Sequence, residues 1–593
     1  MTTSLATQTA EQAERSRTSP RVVAYALVAA FTAIVLWFAA QGFMLLDDYE
    51  LQSLAYAAPG LDWSYLTQPW GGHFMPSGFA LAQLLAKTTP FTYVPMVALM
   101  GFGMGAFALA LARLLLYVLG NRWLALLPLA LIMASGAIWD SVTWWIAALN
   151  SIPLLIAIPL ATYMHLRWLQ EGSLRSGILA WAITVVACTF FEKALGLVFF
   201  LGLLTIALRG RWNPPRSVRA VWGLLVLYAV TVAGFAYAYL SSSTGQAANI
   251  PSVQTYMDFI GAGALTFPPL LLGGPWSWSV PAVASTPVWL SVASGNVLLF
   301  VALSQGIRSR RAALLWGGLL VYLLAIISVI AVGRAGWGVQ VISQPRYFVD
   351  AVVYTIVAAS IAAAYLCPSN PAPNIGGPRR QAWSILGAFI AVQAVTVSGM
   401  LTLPYLSTSL LANPSRNYVI GSIESLSNDS AVVNNGLLPG DVLWPLVSPA
   451  NQIRPFFAPI FDIERFPDSR NSLDVINAFG AIRPGQVVDD AARKDVEPCP
   501  VRIAESNTSV MLPRPLPDYW HTLTFASLAD GPTSLEVSLG DGAPVRVDLL
   551  PGLNQSFVFL GGSGDRLSFT RVPDGVNACL SDIAVGFTAE ASP

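Results

Sequence analysis

Charged residues are scarce in this chain and absent from long stretches of it. Of 593 residues, 11% are charged and 55% are hydrophobic, and the mean hydropathy is +0.59. This composition excludes an ordinary soluble domain and indicates an integral membrane protein. The three His and four Cys form no CxxC motif and no Cys/His cluster, so a structural zinc site is not expected. The glycine fingerprint of nucleotide-binding proteins is also missing, which argues against a soluble nucleotide as substrate.

The apolar runs predict about eleven transmembrane helices. We expect them at residues 22–45, 91–116, 123–138, 147–165, 177–190, 195–209, 220–240, 286–305, 312–332, 347–366 and 382–405. In this arrangement of spans, sixteen Arg lie on one side of the membrane. On the other side, residues 1–405 contribute only Lys87, Lys193, Arg334 and Arg346. Basic residues mark the cytoplasmic side. The N-terminus is therefore expected in the cytoplasm and the C-terminal region outside. Arg outnumbers Lys 29 to 3, which indicates a GC-rich bacterial genome and hence a bacterial plasma membrane.

The zero net charge hides two unlike halves. Residues 1–405 carry a net charge of +9, and residues 406–593 carry −9. We expect a disordered cytoplasmic tail over 1–20, a transmembrane domain over 21–405, a mixed α/β segment over 406–495 and a β-sandwich domain over 496–593. Short strands separated by turn signals such as Asp541-Gly542 predict the sandwich, which is of the jelly-roll kind. The Pro-rich stretch 242–285 is expected to re-enter the membrane or to lie along its outer surface.

Asp47 and Asp48 stand together where the first apolar run ends. Adjacent carboxylates repel each other and resist desolvation, so a chain that only had to end a helix gains little from two of them. A carboxylate pair at the lipid boundary can take a proton from a hydroxyl or hold a cation. The alternative is that both are solvated loop residues.

Three cations are expected to face the same compartment as this acidic pair. Lys193 follows Glu192 between two apolar runs, and Arg346 precedes Tyr347 at the start of a span, with Arg334 a dozen residues earlier. Each alone is typical of a residue that extends its charged end to the membrane surface. Together they indicate an anion site, and a lipid-linked phosphate suits the donor fork of Arg.

Further candidates lie in the first two outer loops. His73 follows Gly71-Gly72, where backbone or ligand can approach closely. Asp140 is an isolated acid that could orient an acceptor hydroxyl, whereas Trp144 and Trp145 are more typical of membrane anchors.

Two of the four cysteines fit the same topology. Cys499 and Cys579 bracket the final β-rich segment in an oxidising compartment, which predicts a disulfide between them.

The motif Leu46-Asp47-Asp48-Tyr49 and its position resemble those of the GT-C membrane glycosyltransferases. That superfamily includes protein mannosyltransferases, aminoarabinose transferases and cell-wall arabinosyltransferases. Its members carry an Asp-Asp or Asp-Glu pair in the first outer loop, many spans, and often a C-terminal outer domain. The resemblance implies a polyprenyl-phosphate sugar as donor and an extracytoplasmic glycan, glycolipid or protein as acceptor. It leaves the subfamily unassigned.

The resemblance further implies an inverting displacement. Asp47 would be the general base, with Asp48 as the alternative base or as its orienting partner. Lys193, Arg346 and Arg334 would hold the phosphate, Glu192 would position Lys193, and His73 would contact phosphate or sugar. Tyr347 and Asp140 would support the site. No metal ligand set is assigned, although a divalent metal at the acidic pair stays open, and membrane lipids but no nucleic acid are expected as partners.

Two other functions compete with this one. A lipid or polysaccharide transporter or flippase would line a path through the bilayer with ionisable residues. A non-catalytic cell-envelope scaffold would need no acidic pair at the boundary.

Overall fold

The computed structural model describes most of the chain. The described residues are 19–45, 47–68, 70, 73–142, 144–208, 218–242, 251–272, 288–334, 336, 338–367, 412–428, 432–439, 443, 451–492, 499–503, 507–571 and 577–591. The expected tail over 1–20, apart from Ser19 and Pro20, and the expected span 382–405 lie outside these residues.

The first two thirds of the described chain are helical. In chain order the α-helices are α1 (Pro20–Ala40), α2 (Asp47–Ala57), α3 (Trp63–Leu66), α4 (Pro76–Thr88), α5 (Val94–Leu119), α6 (Leu126–Met133), α7 (Gly136–Asp140), α8 (Trp145–Glu171), α9 (Leu174–Cys188), α10 (Leu195–Leu208), α11 (Val218–Ser242), α12 (Val253–Leu272), α13 (Val288–Arg308), α14 (Arg310–Arg334), α15 (Val349–Ile361), α16 (Ala412–Asn428) and α17 (Ile453–Phe457). Short 3₁₀ helices precede α6, α10 and α15, at Trp123–Ala125, Glu192–Ala194 and Pro345–Phe348.

Six of the described helical stretches are long and apolar enough to cross a membrane. They are Pro20–Ala40, Val94–Leu119, Trp145–Glu171, Trp222–Ser241, Arg310–Arg334 and Pro345–Leu366. Local sequence sets their ends. At the start of α1, the Ser19 hydroxyl accepts a hydrogen bond from Arg21 N, and Pro20 is the first residue of the helix. Helix α8 ends before Gly172, whose φ of 70° favours glycine.

The end of the first apolar helix differs from the one expected. The first apolar run was expected to be helical to residue 45, but α1 ends at Ala40 and the next helix starts at Asp47. Within the stretch 242–285, which was expected to re-enter the membrane or to lie along its outer surface, residues 253–272 form the continuous helix α12, which includes Pro268 and Pro269. An apolar helix tolerates Pro where its neighbours satisfy the freed backbone groups.

The C-terminal part is a sheet of nine antiparallel strands among the described residues. They are β1 (Ser469–Arg470), β2 (Asp474–Ile476), β3 (Ile482–Ala492), β4 (Val501–Ile503), β5 (Thr508–Ala529), β6 (Thr533–Leu539), β7 (Val545–Leu549), β8 (Gly552–Arg571) and β9 (Ala578–Glu590). The main strand order is β2-β3-β9-β5-β8-β6-β7, with β1 beside β8 and β4 beside β9.

One apolar core lies beneath these strands. Alternate residues of β5, β6, β8 and β9, such as Phe525, Val537, Phe569 and Val585, are fully buried in it. The turn predicted at Asp541-Gly542 is present, with Gly540 at a φ of 56° and Gly542 N donating to Leu539 O. The predicted sequence of apolar helices followed by a β-rich region is therefore confirmed. The number of spans, the jelly-roll type and the domain boundaries stay predictions.

The chain divides into two compact units. The helical unit comprises Met1–Gly42, Gly60–Leu81 and Thr92–Ser409. The second unit joins Phe43–Pro59 and Ala82–Phe91 to Leu410–Pro593, which contains the sheet.

Candidate active site

Asp47 and Asp48 are the first two residues of α2. With Glu50 they place three acids in its first turn, where the partial positive charge of a helix N-terminus favours them. Asp48 is 1% exposed, and its Oδ2 accepts a hydrogen bond from Leu45 N at 2.9 Å while Asp48 N donates to Leu45 O at 2.9 Å. This reciprocal pair resembles a capping box. Asp48 therefore fixes how the chain enters the helix, and Asp47 is the more exposed of the two.

The next residue anchors the same helix. Tyr49 is fully buried, with its ring 5.5 Å from that of Phe456 and 6.4 Å from that of Phe91. Phe91 and Phe456 also contact each other, at 5.0 Å between ring centroids. These packed aromatic rings hold the start of α2 in place within the unit that contains the sheet. Leu46 of the acidic motif lies outside the described residues.

His73 and Glu192, 119 residues apart in sequence, form an ion pair in the helical unit. His73 Nδ1 lies 2.8 Å from Glu192 Oε1, and the two side chains are 26% and 24% exposed. Burial disfavours the charged Glu192 carboxylate, but the charge and hydrogen bond of His73 outweigh it and lower the pKa of Glu192. The other oxygen, Glu192 Oε2, is buried and has no hydrogen-bond partner among the described residues. Glu192 was expected to position Lys193, which stays a prediction; its side chain is hydrogen-bonded to His73.

Lys193 and Arg346 both contact Tyr347. Lys193 Nζ donates to Tyr347 O at 2.9 Å and lies 5.8 Å from the centre of the Tyr347 ring. The Arg346 guanidinium lies 5.7 Å from the same ring and 4.7 Å from the ring of Trp144. Arg346 Nη2 also donates to Gln344 Oε1 at 2.5 Å. Two cations from distant parts of the sequence thus flank one tyrosine, and aromatic faces fix the orientation of the guanidinium.

Two residues make contacts that the sequence did not indicate. Trp144, which was predicted to be a membrane anchor, has its ring centre 4.7 Å from the Arg346 guanidinium. Asp350 was overlooked within an apparent span, although it is fully buried and accepts a hydrogen bond from the Tyr322 hydroxyl. Placing a carboxylate in an apolar environment costs free energy. The presence of an acid within an apolar run was therefore the signal that could have identified Asp350.

The Tyr322 ring lies directly against the start of α10. A Cβ atom built on Gly196 would be 2.5 Å from Tyr322 Cε2 and Oη. Gly196 lies three residues after Lys193, so the Tyr322 ring packs about one helical turn from this cation.

The remaining predicted residues are placed as follows. Arg334 is the last residue of α14, and Asp140 is the last residue of α7, its side chain being outside the described part of the structure. The predicted disulfide is confirmed: Cys499 and Cys579 are bonded, with their Cα atoms 5.5 Å apart. In the described residues no group of three or more His, Cys, Asp or Glu is arranged to hold a metal ion.

Comparison with known proteins gives two distant structural matches. No protein-family model matches the chain, and no curated protein matches it. The chain is similar to the crystal structure of ArnT from Cupriavidus metallidurans bound to undecaprenyl phosphate, with 13% identity, a TM-score of 0.43, and coverage of 70% of this chain and 83% of that chain. It is also similar to the arabinosyltransferase EmbB from Mycobacterium smegmatis, with 13% identity and a TM-score of 0.32, over 98% of this chain and 65% of that chain. At such low TM-scores neither match determines a family or an activity.

Proposed function

We propose that this protein is a membrane glycosyltransferase of the GT-C type. It moves a sugar from a polyprenyl-phosphate donor to a glycan, glycolipid or protein outside the plasma membrane, with the N-terminus in the cytoplasm and the sheet on the outer side. The observation that carries the proposal is the pairing of Lys193 and Arg346 around Tyr347, because it gathers positive charge suited to a lipid phosphate. The proposal rests on these residues, on the acidic start of α2 and on the resemblance of its motif, and not on the two distant structural matches.

Asp47 is the proposed general base. Its carboxylate takes the proton of an acceptor hydroxyl while that oxygen forms a bond to C1 of the sugar. The bond from C1 to the phosphate oxygen breaks, and the lipid phosphate leaves with the electron pair. Because the new bond forms on the face opposite the leaving group, the configuration at C1 inverts. Asp48, which is engaged in holding the helix start, is the proposed orienting partner.

Lys193 and Arg346 are the proposed ligands of the leaving phosphate, with Arg334 as a further cation. As the bond at C1 breaks, negative charge grows on the phosphate, and cations that are already oriented stabilise it without reorganisation. Tyr347, Trp144 and the Tyr322–Asp350 pair keep the two cations oriented, which is a positioning task.

The His73–Glu192 pair is the proposed contact to the phosphate or the sugar. Its buried oxygen, Glu192 Oε2, can accept a hydrogen bond from a hydroxyl, and the His73 ring is held edge-on to Phe191 at 5.6 Å.

The Asp47→Asn variant tests the assignment of the base. In reconstituted membranes it should transfer sugar from a radiolabelled polyprenyl-phosphate sugar roughly 10²–10⁴-fold more slowly than the wild type, because the amide cannot take the proton. The Glu50→Gln variant, which removes another acid from the same helical turn, is the matched control and should keep its activity. Full activity of a folded Asp47→Asn protein would remove Asp47 from the mechanism.

A further inference from the structure

Gln52 is a buried amide that the fold does not use. The residue is 5% exposed, and neither its Nε2 nor its Oε1 has a hydrogen-bond partner among the described residues. An amide hidden from water without partners lowers stability, and nearly all buried polar groups are paired. Gln83, in the same unit and equally buried, shows the usual solution: its Nε2 donates to Ala58 O at 3.2 Å.

Gln52 lies on the same helical face as one of the two acids. It follows Asp48 by four residues within α2, a spacing that brings two side chains into neighbouring positions, with about 5–6 Å between Cβ atoms. Asp48 is 1% exposed, so the two polar side chains share a buried strip of the helix. An apolar residue at position 52 would fill this place without leaving an amide unsatisfied.

The chemistry of the two groups defines what they can bind. An ionised carboxylate only accepts hydrogen bonds, whereas an amide both donates and accepts. A sugar hydroxyl also donates and accepts, so it can satisfy both atoms of Gln52 at once. The ionised phosphodiester of the lipid-linked donor cannot, because it only accepts hydrogen bonds and would leave Oε1 without a donor.

We propose that Gln52 binds a hydroxyl group of the sugar substrate beside the acidic start of α2. The inference rests on the proposed glycosyltransferase function and adds a binding residue to it. The hydroxyl belongs either to the donor sugar or to the acceptor glycan, and the Michaelis constants for the two substrates distinguish these sources.

The Gln52→Leu variant tests the inference, with Gln83→Leu as its matched control. Gln52→Leu should keep or raise the thermal unfolding temperature, because it removes an unsatisfied amide from a buried place. It should raise the KM for either the donor or the acceptor by roughly tenfold, the effect of losing hydrogen bonds to one hydroxyl. Gln83→Leu should do the reverse, lowering the unfolding temperature and leaving both KM values unchanged.

The outcomes separate this inference from the proposed function. If the wild type transfers no sugar from the radiolabelled polyprenyl-phosphate donor, the proposed function fails, and the inference fails with it. If the wild type transfers sugar and Gln52→Leu leaves both KM values unchanged, only the inference fails. Gln52→Met, which is closer to Gln in shape, repeats the test if the Leu variant does not fold. Failure of both variants to fold overturns the inference, since the fold itself would then need the amide.

Discussion

Replacing Gly196 by Ala should disturb the cation group without touching a charge. The added Cβ would be 2.5 Å from Tyr322 Cε2 and Oη, whereas ordinary contacts begin at 3.4 Å, so the ring must move by about 0.9 Å. Three contacts oppose that movement. The Tyr322 hydroxyl donates to Asp350, and the ring lies 5.2 Å from that of Tyr354 and 6.2 Å from that of Phe199.

The expected cost follows from this confinement. Overpacking a close-packed interior typically costs about 1–3 kcal/mol. Gly202 lies in the same helix, and no described atom lies within 4 Å of a Cβ built there. Gly202→Ala should therefore gain up to ~1 kcal/mol from helix propensity alone. Both variants replace a glycine of α10 by alanine, but the expected changes in the free energy of unfolding have opposite signs.

Thermal unfolding of the purified protein in detergent measures this difference. Gly196→Ala should unfold at a lower temperature than the wild type, and Gly202→Ala at the same or a higher one. Gly196→Ala should also raise the KM for the lipid-linked donor, because Lys193 lies one helical turn before the clash. Equal unfolding temperatures for both variants would refute the packing of Tyr322 on α10. A destabilised Gly196→Ala with an unchanged donor KM would refute the link to Lys193.

Two further predictions concern the same unit. His73 lowers the pKa of Glu192 below its ordinary value of 4.5. The Glu192 carboxylate therefore contributes stability that is present above pH 4.5 and is lost as the pH falls through the pKa of the folded state. The unfolding temperature of the wild type should drop in that acid range, and Glu192→Gln should lack this part of the drop. Identical pH profiles for the wild type and Glu192→Gln would contradict the ion pair. Arg346→Lys should raise the donor KM roughly tenfold, because Lys lacks the planar fork that stacks on Trp144. Arg465→Lys, which also removes a stacked guanidinium, is the control and should leave KM unchanged.

The sequence predicted those features that depend on local pattern. Long apolar runs gave the helices, because burial in lipid demands continuous apolar surface. The turn at Asp541-Gly542 was predicted from its residue types, and the Cys499–Cys579 bond from the position of the two cysteines and the predicted compartment. Lys193 and Arg346 stood out because cations are scarce on the predicted outer side.

Contacts between distant residues could not be predicted. Nothing in the sequence indicates that Glu192 pairs with His73, or that Lys193 meets the carbonyl of Tyr347, 154 residues later. Helix packing determines which of these residues meet, and a single sequence does not show how its helices align against one another. Asp350 was missed for a different reason: a lone acid does not interrupt an apolar pattern.

Proline does not end the helix or the strand in which it occurs here. Helix α12 continues through Pro268 and Pro269. In the sheet, β5 extends over Thr508–Ala529, through a stretch rich in Pro. The register of β5 against β8 shifts between Met511 and Tyr519, where Pro cannot donate a ladder hydrogen bond. Pro thus marks irregular pairing here and not the end of the strand.

The most direct test of the account is turnover of a radiolabelled polyprenyl-phosphate sugar by the purified protein in lipid vesicles. The account predicts that each sugar transferred releases one lipid phosphate, and that the product has the anomeric configuration opposite to that of the donor. If the protein moves the intact lipid-linked sugar between the leaflets and releases no lipid phosphate, it is a flippase and the proposed transfer reaction is wrong.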